Sequence, residues 1–294
     1  MFKRLTLIML AMLLVAASLA GCATPDGMVK DSEISDGKKG TVNLAYVNWA
    51  EGIAMTNLVA AILEDKMGYD VNMTMADVGP VFTSVANGNS DIFVDVWLPI
   101  THEAYINEYG DDMVDYGIVY EDALLALVVP AYVEIDSIEE LNDNVDMFGG
   151  EIIGIDPGAG LMAAAERAIA SYGLDYKLIS GSDVTMTAAL GKAIENNEPI
   201  VVTGWAPHWK FARWDLKTLE DPLGEFGAVE NIYKYARKGL DEDMPEVADF
   251  LKKFKLTSDE LGDLMGAIED GSGEPLDIAR DWMNANEDII NNWL

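Results

Sequence analysis

The chain has 294 residues, 50% of them hydrophobic, and 51 acidic against 19 basic residues give it a formal net charge of −32 at pH 7. This length is sufficient for two lobes of about 100 residues, each with its own core. The negative charge disfavours nucleic acid and anionic lipid as partners. The single cysteine excludes an internal disulfide.

The N-terminal segment predicts export from the cytoplasm. Two basic residues precede an apolar run over residues 5–19, and small residues then lead to Cys22. This pattern is typical of a secretory signal over residues 1–21, and residues 19–22 resemble a bacterial lipobox. We therefore expect a lipid on Cys22 and a membrane-anchored, extracytoplasmic protein. An ordinary signal peptide with an unmodified cysteine is the alternative.

Residues 22–40 predict a flexible tether, because they are rich in Gly, Asp, Ser and Lys and lack apolar periodicity. The pattern becomes globular at residue 41. Beyond the N-terminal segment, no apolar run is long enough to span a bilayer.

The first part of the globular region predicts alternating strands and helices. In chain order these are strand 42–47, helix 52–67, strand 71–75, helix 80–86, strand 91–96, helix 101–109 and strands 114–119 and 123–129.

A similar order then repeats. It comprises strand 151–155, helix 161–172, strand 176–179, helix 183–196 and strand 199–203. A strand at 231–237 and three amphipathic helices near 245–254, 258–268 and 275–293 follow. We expect these last helices to return and pack on the first copy.

The two copies share a spacing that indicates a two-lobed α/β protein. Trp97 lies 45 residues after Gly52, Trp205 lies 45 residues after Gly160, and each tryptophan is followed two residues later by proline. Such a repeat predicts two lobes, each with a tryptophan at the carboxyl end of a strand, where open α/β sheets bind ligands. We assign residues 41–129 and 222–294 to one lobe and 130–221 to the other.

Three tryptophans are the main candidates for ligand contact. Trp49 follows the first strand, and we expect it to meet Trp97 and Trp205 across the cleft between the lobes. Indole faces attract a cation without offering it a hydrogen bond, which suits a quaternary ammonium group that has no N–H to donate. Core packing is the alternative for each tryptophan.

A glycine loop is the candidate for binding an anionic group. Gly158, Ala159 and Gly160 precede a predicted helix, whose N-terminal N–H groups can bind a carboxylate. His208 lies three residues after Trp205 and can add a side-chain hydrogen bond to that carboxylate. An ordinary strand-to-helix turn and a structural histidine are the respective alternatives.

Three further polar residues lie near the predicted cage. We expect His102 to have a structural role beside a helix start. Glu51 and Asp95 add long-range attraction for a cation, but we place neither in direct contact with the ligand.

Four segments resemble the substrate-binding proteins of glycine betaine ABC importers, and the similarity extends over nearly the whole globular region. These segments are residues 42–57, 95–102, 154–160 and 201–209. The resemblance implies an α/β, two-lobed periplasmic-binding-protein clamp of type II, in which each lobe is a central sheet flanked by helices and the ligand lies in the cleft.

The resemblance also implies the binding residues and the partners. Trp49, Trp97 and Trp205 would enclose the trimethylammonium group. His208 and backbone amides near Gly160 and Leu161 would bind the carboxylate, with Gly158 and Ala159 in the same loop. The implied partners are glycine betaine or a similar zwitterion and the permease subunits of an ABC transporter, without a cofactor or metal.

An enzyme is the main competing interpretation. Tryptophans also stack on sugars, and Glu51, Asp95 and Glu103 can supply the acid and base of a carbohydrate-active enzyme. The sequence contains no P-loop, no convincing nucleophile arrangement and only two histidines. A structural or adhesive lipoprotein is a second alternative. We therefore expect a binding protein and no enzyme activity.

Overall fold

The computed structural model describes residues 38–294. The predicted signal peptide 1–21, the lipidation site Cys22 and the tether up to residue 37 lie outside the described residues. Within residues 38–294, none of the helices has the length and apolar character needed to cross a membrane.

The globular region begins with a parallel βαβαβ unit. Its elements are β1 (Thr41–Tyr46), α1 (Ala50–Ala61), β2 (Asp70–Met75), α2 (Val78–Ala86) and β3 (Ile92–Leu98), followed by α3 (Glu103–Tyr109). Strand β1 pairs in parallel with both β2 and β3. Their carboxyl ends therefore meet at one edge of the sheet, which brings the segments that carry Trp49 and Trp97 together.

One long strand connects this sheet to a second one. Strand β4 (Met113–Pro130) pairs with β9 (Glu230–Arg237) as far as Ala123, and from Leu124 onward it pairs with β7 (Val202–Ala206). Strand β9 also pairs with β3, so β9 and the beginning of β4 complete the first sheet.

The sequence predicted two strands where β4 is a single strand. Polar residues between 114–119 and 123–129 interrupt the apolar run, which led to that expectation. Instead, the backbone stays extended, and its register with β9 shifts repeatedly between Asp115 and Ala123. Gly117 and Asp122 have positive φ angles of 90° and 63° in this stretch. The interruption is therefore an irregularity within one strand.

The second sheet contains the other copy of the repeat. Its elements are β5 (Glu151–Ile153), α4 (Gly160–Ser171), β6 (Lys177–Ile179), α5 (Asp183–Asn196), β7, α6 (Lys210–Arg213) and β8 (Leu216–Thr218). Strand β5 pairs in parallel with β6 and β7, and the complete strand order is β2-β1-β3-β9-β4-β7-β5-β6, with β8 beside β4. The predicted order of strands and helices from β5 to β7 is confirmed, and α6 and β8 are additional short elements.

We call the two parts of the globular region the first half and the second half. The first half contains β1 to β3, β9 and the beginning of β4, and the second half contains the end of β4 and β5 to β8. The change between them occurs between Ala123 and Leu124 of β4, whereas the sequence placed a boundary after residue 129. The lobe boundaries stay a prediction.

The C-terminal helices pack on the first half, as expected. They are α7 (Leu240–Asp243), α8 (Pro245–Lys253), α9 (Ser258–Asp270), α10 (Pro275–Ala285) and α11 (Glu287–Trp293). Helices α9 and α10 pack against α1, and α8 packs against β4. The predicted single helix 275–293 is two helices, because Asn286 leaves the helical conformation at φ −120° and ψ 36°.

Candidate functional site

The three predicted cage residues lie at the ends of strands or directly after them. Trp49 precedes the first residue of α1, Trp97 is the next-to-last residue of β3, and Trp205 is the next-to-last residue of β7. Their exposed fractions are only 5%, 2% and 3%. The peptide bonds before Pro99 and Pro207 are both cis.

The three indoles surround one small cavity between the two sheets. Its empty space, including its mouth, is about 270 Å³. The residues that line it are Trp49, Glu51, Trp97, Thr101, Leu125, Ile155, Ala159, Gly160, Leu161 and Trp205. Only about 20 Å³ of the empty space can be entered by a water-sized sphere, so the indoles must move apart to admit a larger ligand.

Each indole of the cage donates its N–H group to a carboxylate. Trp97 donates to Asp95 at 2.8 Å, Trp205 donates to Glu51 at 2.7 Å, and Trp49 donates to Asp156 at 3.2 Å. All three distances are those of well-formed hydrogen bonds. These bonds therefore fix the orientation of the rings.

Two of these carboxylates are buried close together. Glu51 and Asp95 are 1% and 0% exposed. Burial is the main cause that raises the pKa of Glu51 well above its usual range, and the charge of Asp95 adds to this effect. Burial also raises the pKa of Asp95 to about 8, against the opposing hydrogen bond from Trp97. Both acids therefore favour the protonated form when nothing positive lies beside them.

Four hydrogen bonds join the two halves around the cavity. Two are the indole bonds of Trp205 to Glu51 and of Trp49 to Asp156. The backbone N–H of Ala50 donates to Asp183 at 3.2 Å, and the Tyr105 hydroxyl donates to the carbonyl of Gly158 at 3.0 Å. The sheets are therefore held together on two sides of the cage.

The N-terminus of α4 supplies unused donors to the cavity wall. Gly160 and Leu161 both line the cavity. Among the hydrogen bonds of residues 38–294, none is donated by the backbone N–H of either residue. Because the N-terminus of a helix carries partial positive charge, these two N–H groups are suited to a carboxylate. Ala159 also lines the cavity, whereas Gly158 lies outside the lining.

His208 lies behind Trp205, where both of its ring nitrogens are occupied. The backbone N–H of Lys210 donates to Nδ1 at 3.1 Å, so Nε2 carries the proton and donates to Asp183 at 3.0 Å. The His208 ring packs edge-on against Trp205, with 4.7 Å between centroids. Burial lowers the pKa of His208 to about 4. The neutral ring therefore supports Trp205 and is not among the cavity-lining residues.

His102 has an unused donor beside the cage. Its Nδ1 accepts the backbone N–H of Trp97 at 3.0 Å, which leaves the proton on Nε2. Nε2 is buried without a hydrogen-bond partner in the described part of the chain, and burial lowers the pKa of this residue to about 3. The ring stacks on Trp49 with 5.9 Å between centroids. A buried N–H without a partner is costly, although His102, like His208, is not among the residues that line the cavity.

Lys210 places a buried amino group against the cage. Its Nζ lies 4.2 Å from the centroid of the Trp205 ring and 3.3 Å from the carbonyl oxygen of Trp205. The side chain is fully buried, and burial lowers its pKa to about 7. Near neutral pH this group is therefore partly uncharged.

A larger groove, with about 1110 Å³ of empty space including its mouth, opens beside the cage, between α5, α6, α1 and α9. It also contains tryptophans, but Arg213 already covers the ring of Trp209 at 4.9 Å and is paired with Glu269. A ligand cation would therefore compete with a resident one for that aromatic face. In the cage, Lys210 lies against the ring of Trp205, but within residues 38–294 no cationic side chain lies over Trp49 or Trp97. The smaller cavity between the two sheets is therefore the better candidate for a cation site.

The structure brings together most of the predicted site residues. Those that line the cavity are Trp49, Trp97, Trp205, Ala159, Gly160 and Leu161. Glu51 lines the cavity although the sequence predicts only a long-range effect for it. Its position two residues after Trp49, at the start of a helix, is a signal for this place in the wall. Thr101, Leu125 and Ile155 carry no comparable signal, because they resemble ordinary strand and loop residues.

The fold and the site together define a class. Two α/β sheets enclosing a small aromatic cavity form the fold of type II periplasmic binding proteins. Residues 40–285 match the family OpuAC, described as the substrate binding domain of the ABC-type glycine betaine transport system, and the chain belongs to this family. The predicted resemblance is confirmed.

Three relatives show the extent of the similarity. Lactococcal OpuAC, solved in its closed-liganded conformation with glycine betaine, is 38% identical with a TM-score of 0.81, covering 86% of this chain and 99% of that one. The glycine/betaine/L-proline-binding protein ProX from Borrelia burgdorferi is 34% identical with a TM-score of 0.83, covering 86% and 96%.

The third relative is the glycine betaine/carnitine transport binding protein GbuC of Listeria monocytogenes serotype 1/2a (strain 10403S). It is 39% identical over 161 residues, which are 54% of this chain and 52% of GbuC. The match therefore spans about half the length of this curated relative.

The family is one of transport substrate-binding proteins and not of enzymes. Within residues 38–294, no group of three or more His, Cys, Asp or Glu side chains is arranged to bind a metal ion.

Proposed function

We propose that the chain is the extracytoplasmic binding protein of an ABC importer and that it binds glycine betaine or a related quaternary ammonium zwitterion for osmoprotection. The observation that carries this proposal is the cavity walled by Trp49, Trp97 and Trp205, with unused N–H donors beside it. It supports binding without chemical turnover, in place of a carbohydrate-active enzyme.

The energy of the cage is adequate for such a ligand. A desolvated cation–π contact contributes about 2 kcal/mol, so three contacts supply about 6 of the roughly 8 kcal/mol that correspond to a micromolar dissociation constant. The carboxylate of the ligand supplies the remainder through the donors of α4. Choline has the cation but not the carboxylate, and proline has no methylated nitrogen.

The carboxylate, in this proposal, lies between the N-terminus of α4 and His102. The support is the unpartnered Nε2–H of His102 and the unused N–H groups of Gly160 and Leu161. His208 then supports Trp205, since its two nitrogens already bind Lys210 and Asp183.

Location and partners belong to the same proposal. The apolar run and Cys22 support export and anchoring through a lipid, and membership of the family supports delivery to the permease subunits of an ABC transporter. The ligand first contacts the half that carries Trp49 and Trp97. Closure then brings Trp205 and α4 onto it.

Isothermal titration tests the proposed ligand. We expect glycine betaine to bind with a dissociation constant on the order of micromolar and proline betaine to bind comparably. Choline and proline should bind at least about tenfold more weakly, because choline lacks the carboxylate that accepts hydrogen bonds and proline lacks the methylated nitrogen that contacts the aromatic rings. Tryptophan fluorescence should change during the betaine titration. Absence of betaine binding, or turnover of an oligosaccharide, would contradict the proposal.

Two asparagine variants test which histidine contacts the carboxylate. His102→Asn keeps an acceptor for the N–H of Trp97 but removes the Nε2 donor. We expect it to weaken betaine about tenfold and choline very little, because a hydrogen bond to a charged group contributes about 1.5–3 kcal/mol. His208→Asn should weaken both ligands by the same small factor. If only His208→Asn weakens betaine much more than choline in isothermal titration, then His208 contacts the carboxylate and His102 does not.

A further inference from the structure

Glu51 and Asp95 form a buried acid pair at the edge of the aromatic cage. Glu51 lines the cavity itself and accepts the N–H of Trp205. Asp95 accepts the N–H of Trp97 through Oδ1, while its Oδ2 is fully buried and has no hydrogen-bond partner in the described part of the chain. Two carboxylates thus share a site that supplies indole donors but no strong counter-charge to Asp95.

This pair does not depend on the second half of the molecule for its place. Glu51 and Gly52 belong to the first turn of α1, and Asp95 belongs to β3, so both acids lie in the first half. Gly52 covers the unpartnered oxygen, because a Cβ on it would lie only 2.7 Å from Oδ2 of Asp95. We therefore expect the two acids to stay together when the halves separate.

From this geometry we infer that Glu51 and Asp95 make the site selective for a permanent positive charge, and that the ligand's ammonium group displaces a proton held by the pair. This inference rests on the proposed betaine-binding function. The proton leaves to the solvent, one carboxyl group of the pair becomes ionised, and the bound cation balances the added negative charge. No bond to the ligand forms or breaks.

The electrostatics of the pair support the exchange. Burial raises the pKa of Asp95 to about 8, and the pKa of Glu51 is raised well above its usual range. Because the two acids interact, their protons belong to the pair and not to one residue. A cation beside them favours ionisation, so binding lowers these pKa values. Betaine affinity should therefore rise with pH through the range in which the pair loses its proton.

Other charged groups lie near the pair, and their titration must be distinguished from that of the pair. Those facing it or its tryptophan partners are His102 before α3, Asp156 after β5, Asp183 at the start of α5, His208 after β7 and Lys210 in α6. Burial lowers the pKa of His102 to about 3, so this residue stays neutral between pH 6 and 8. The pKa of His208 is lowered to about 4, so it stays neutral between pH 6 and 8. Lys210 titrates near pH 7, and loss of its proton would also favour a ligand cation.

The deciding measurement is the number of protons released on binding, obtained by isothermal titration at pH 7 in phosphate and in Tris. We expect the wild type to release roughly half to one proton per betaine. The carbon isostere 3,3-dimethylbutanoate, which keeps the carboxylate but has an uncharged head, should release almost none. Release of no proton with betaine, or uptake of one, would overturn the inference.

The double variant Glu51→Gln with Asp95→Asn keeps the size of both side chains and an acceptor for each indole. Its proton release should vanish, and its affinity for betaine should fall at least about tenfold while that for 3,3-dimethylbutanoate is unchanged. A merely structural role would weaken both ligands equally. Proton release that persists in this variant would assign the proton to Lys210 and overturn the inference.

Asp91→Asn provides the matched control. Asp91 is another buried carboxylate, just before β3, but it pairs with Arg237 away from the cavity. Its variant should keep the proton release and the ratio of the two affinities, even with lower stability. If neither the wild type nor any variant binds betaine, the proposed function and this inference are both wrong. Normal betaine binding without proton release overturns only the inference.

Discussion

Trp205→Ala should lower the affinity for glycine betaine at least about 100-fold. The change removes a cation–π contact that contributes about 2 kcal/mol and the indole N–H bond to Glu51 at 2.7 Å, which joins the two halves. It also leaves a buried carboxylate without its donor. Since each 1.4 kcal/mol changes the affinity tenfold, the two losses together exceed 100-fold. Isothermal titration gives this ratio directly.

Two variants separate ligand contact from core packing. Trp205→Phe keeps an aromatic face but lacks the N–H group, so it should retain part of the affinity, losing about tenfold. Trp293→Ala removes an equally buried tryptophan that packs on Phe254. It should cost about 3 kcal/mol of unfolding free energy with unchanged betaine affinity. If Trp205→Ala lowers the free energies of binding and of unfolding by the same amount, Trp205 is a core residue instead.

The order of strands and helices was predictable because apolar periodicity carries it. The repeat from Gly52 to Trp97 and from Gly160 to Trp205 also indicates, by its spacing alone, that both tryptophans lie near strand ends. The predictions that were wrong concern the boundaries of single elements. The continuity of β4 depends on its pairing with β9 and β7, which lie far away in the sequence. The break at Asn286 is a backbone conformation that amphipathic spacing does not reveal.

The cage was predictable in its residue types, but its polar contacts were not. Three aromatic faces and a helix N-terminus can be read from spacing. The proton position on a histidine depends on which group occupies the other nitrogen, and that is a tertiary contact. The sequence favours His208 over His102 by its nearness to Trp205, and its contact with a carboxylate stays a prediction. In the structure the buried donor without a partner is on His102.

The two halves approach each other closely at Gly160, and the proposed closure depends on this contact. A Cβ at this position would lie 2.1 Å from the carbonyl oxygen of Thr101 and 2.7 Å from its Cγ2. Thr101 belongs to the first half and Gly160 begins α4 in the second, so this clash exists only when the halves are together. Backbone atoms cannot move aside as the end of a long side chain can. Only glycine permits α4 to bring its N–H groups to the ligand.

Gly160→Ala should therefore abolish high-affinity betaine binding, with a loss of at least about 100-fold, and leave the fold intact. The open form has no clash, and alanine is a better helix former than glycine by about 1 kcal/mol, so the free energy of unfolding should be unchanged or slightly higher. Isothermal titration measures the affinity. Small-angle X-ray scattering should show that betaine compacts the wild type but not the variant.

Gly158→Ala is the matched control two residues earlier in the same loop. Its Cβ would meet Val78 at 3.5 Å and the Tyr105 hydroxyl at 3.6 Å, which are ordinary contacts. This variant should bind betaine within about threefold of the wild type and become compact normally, since a threefold change is less than 1 kcal/mol. If both variants bind equally well, the contact between Thr101 and Gly160 is not required for binding. If both fail, the loop itself, and not the clash at one atom, limits closure.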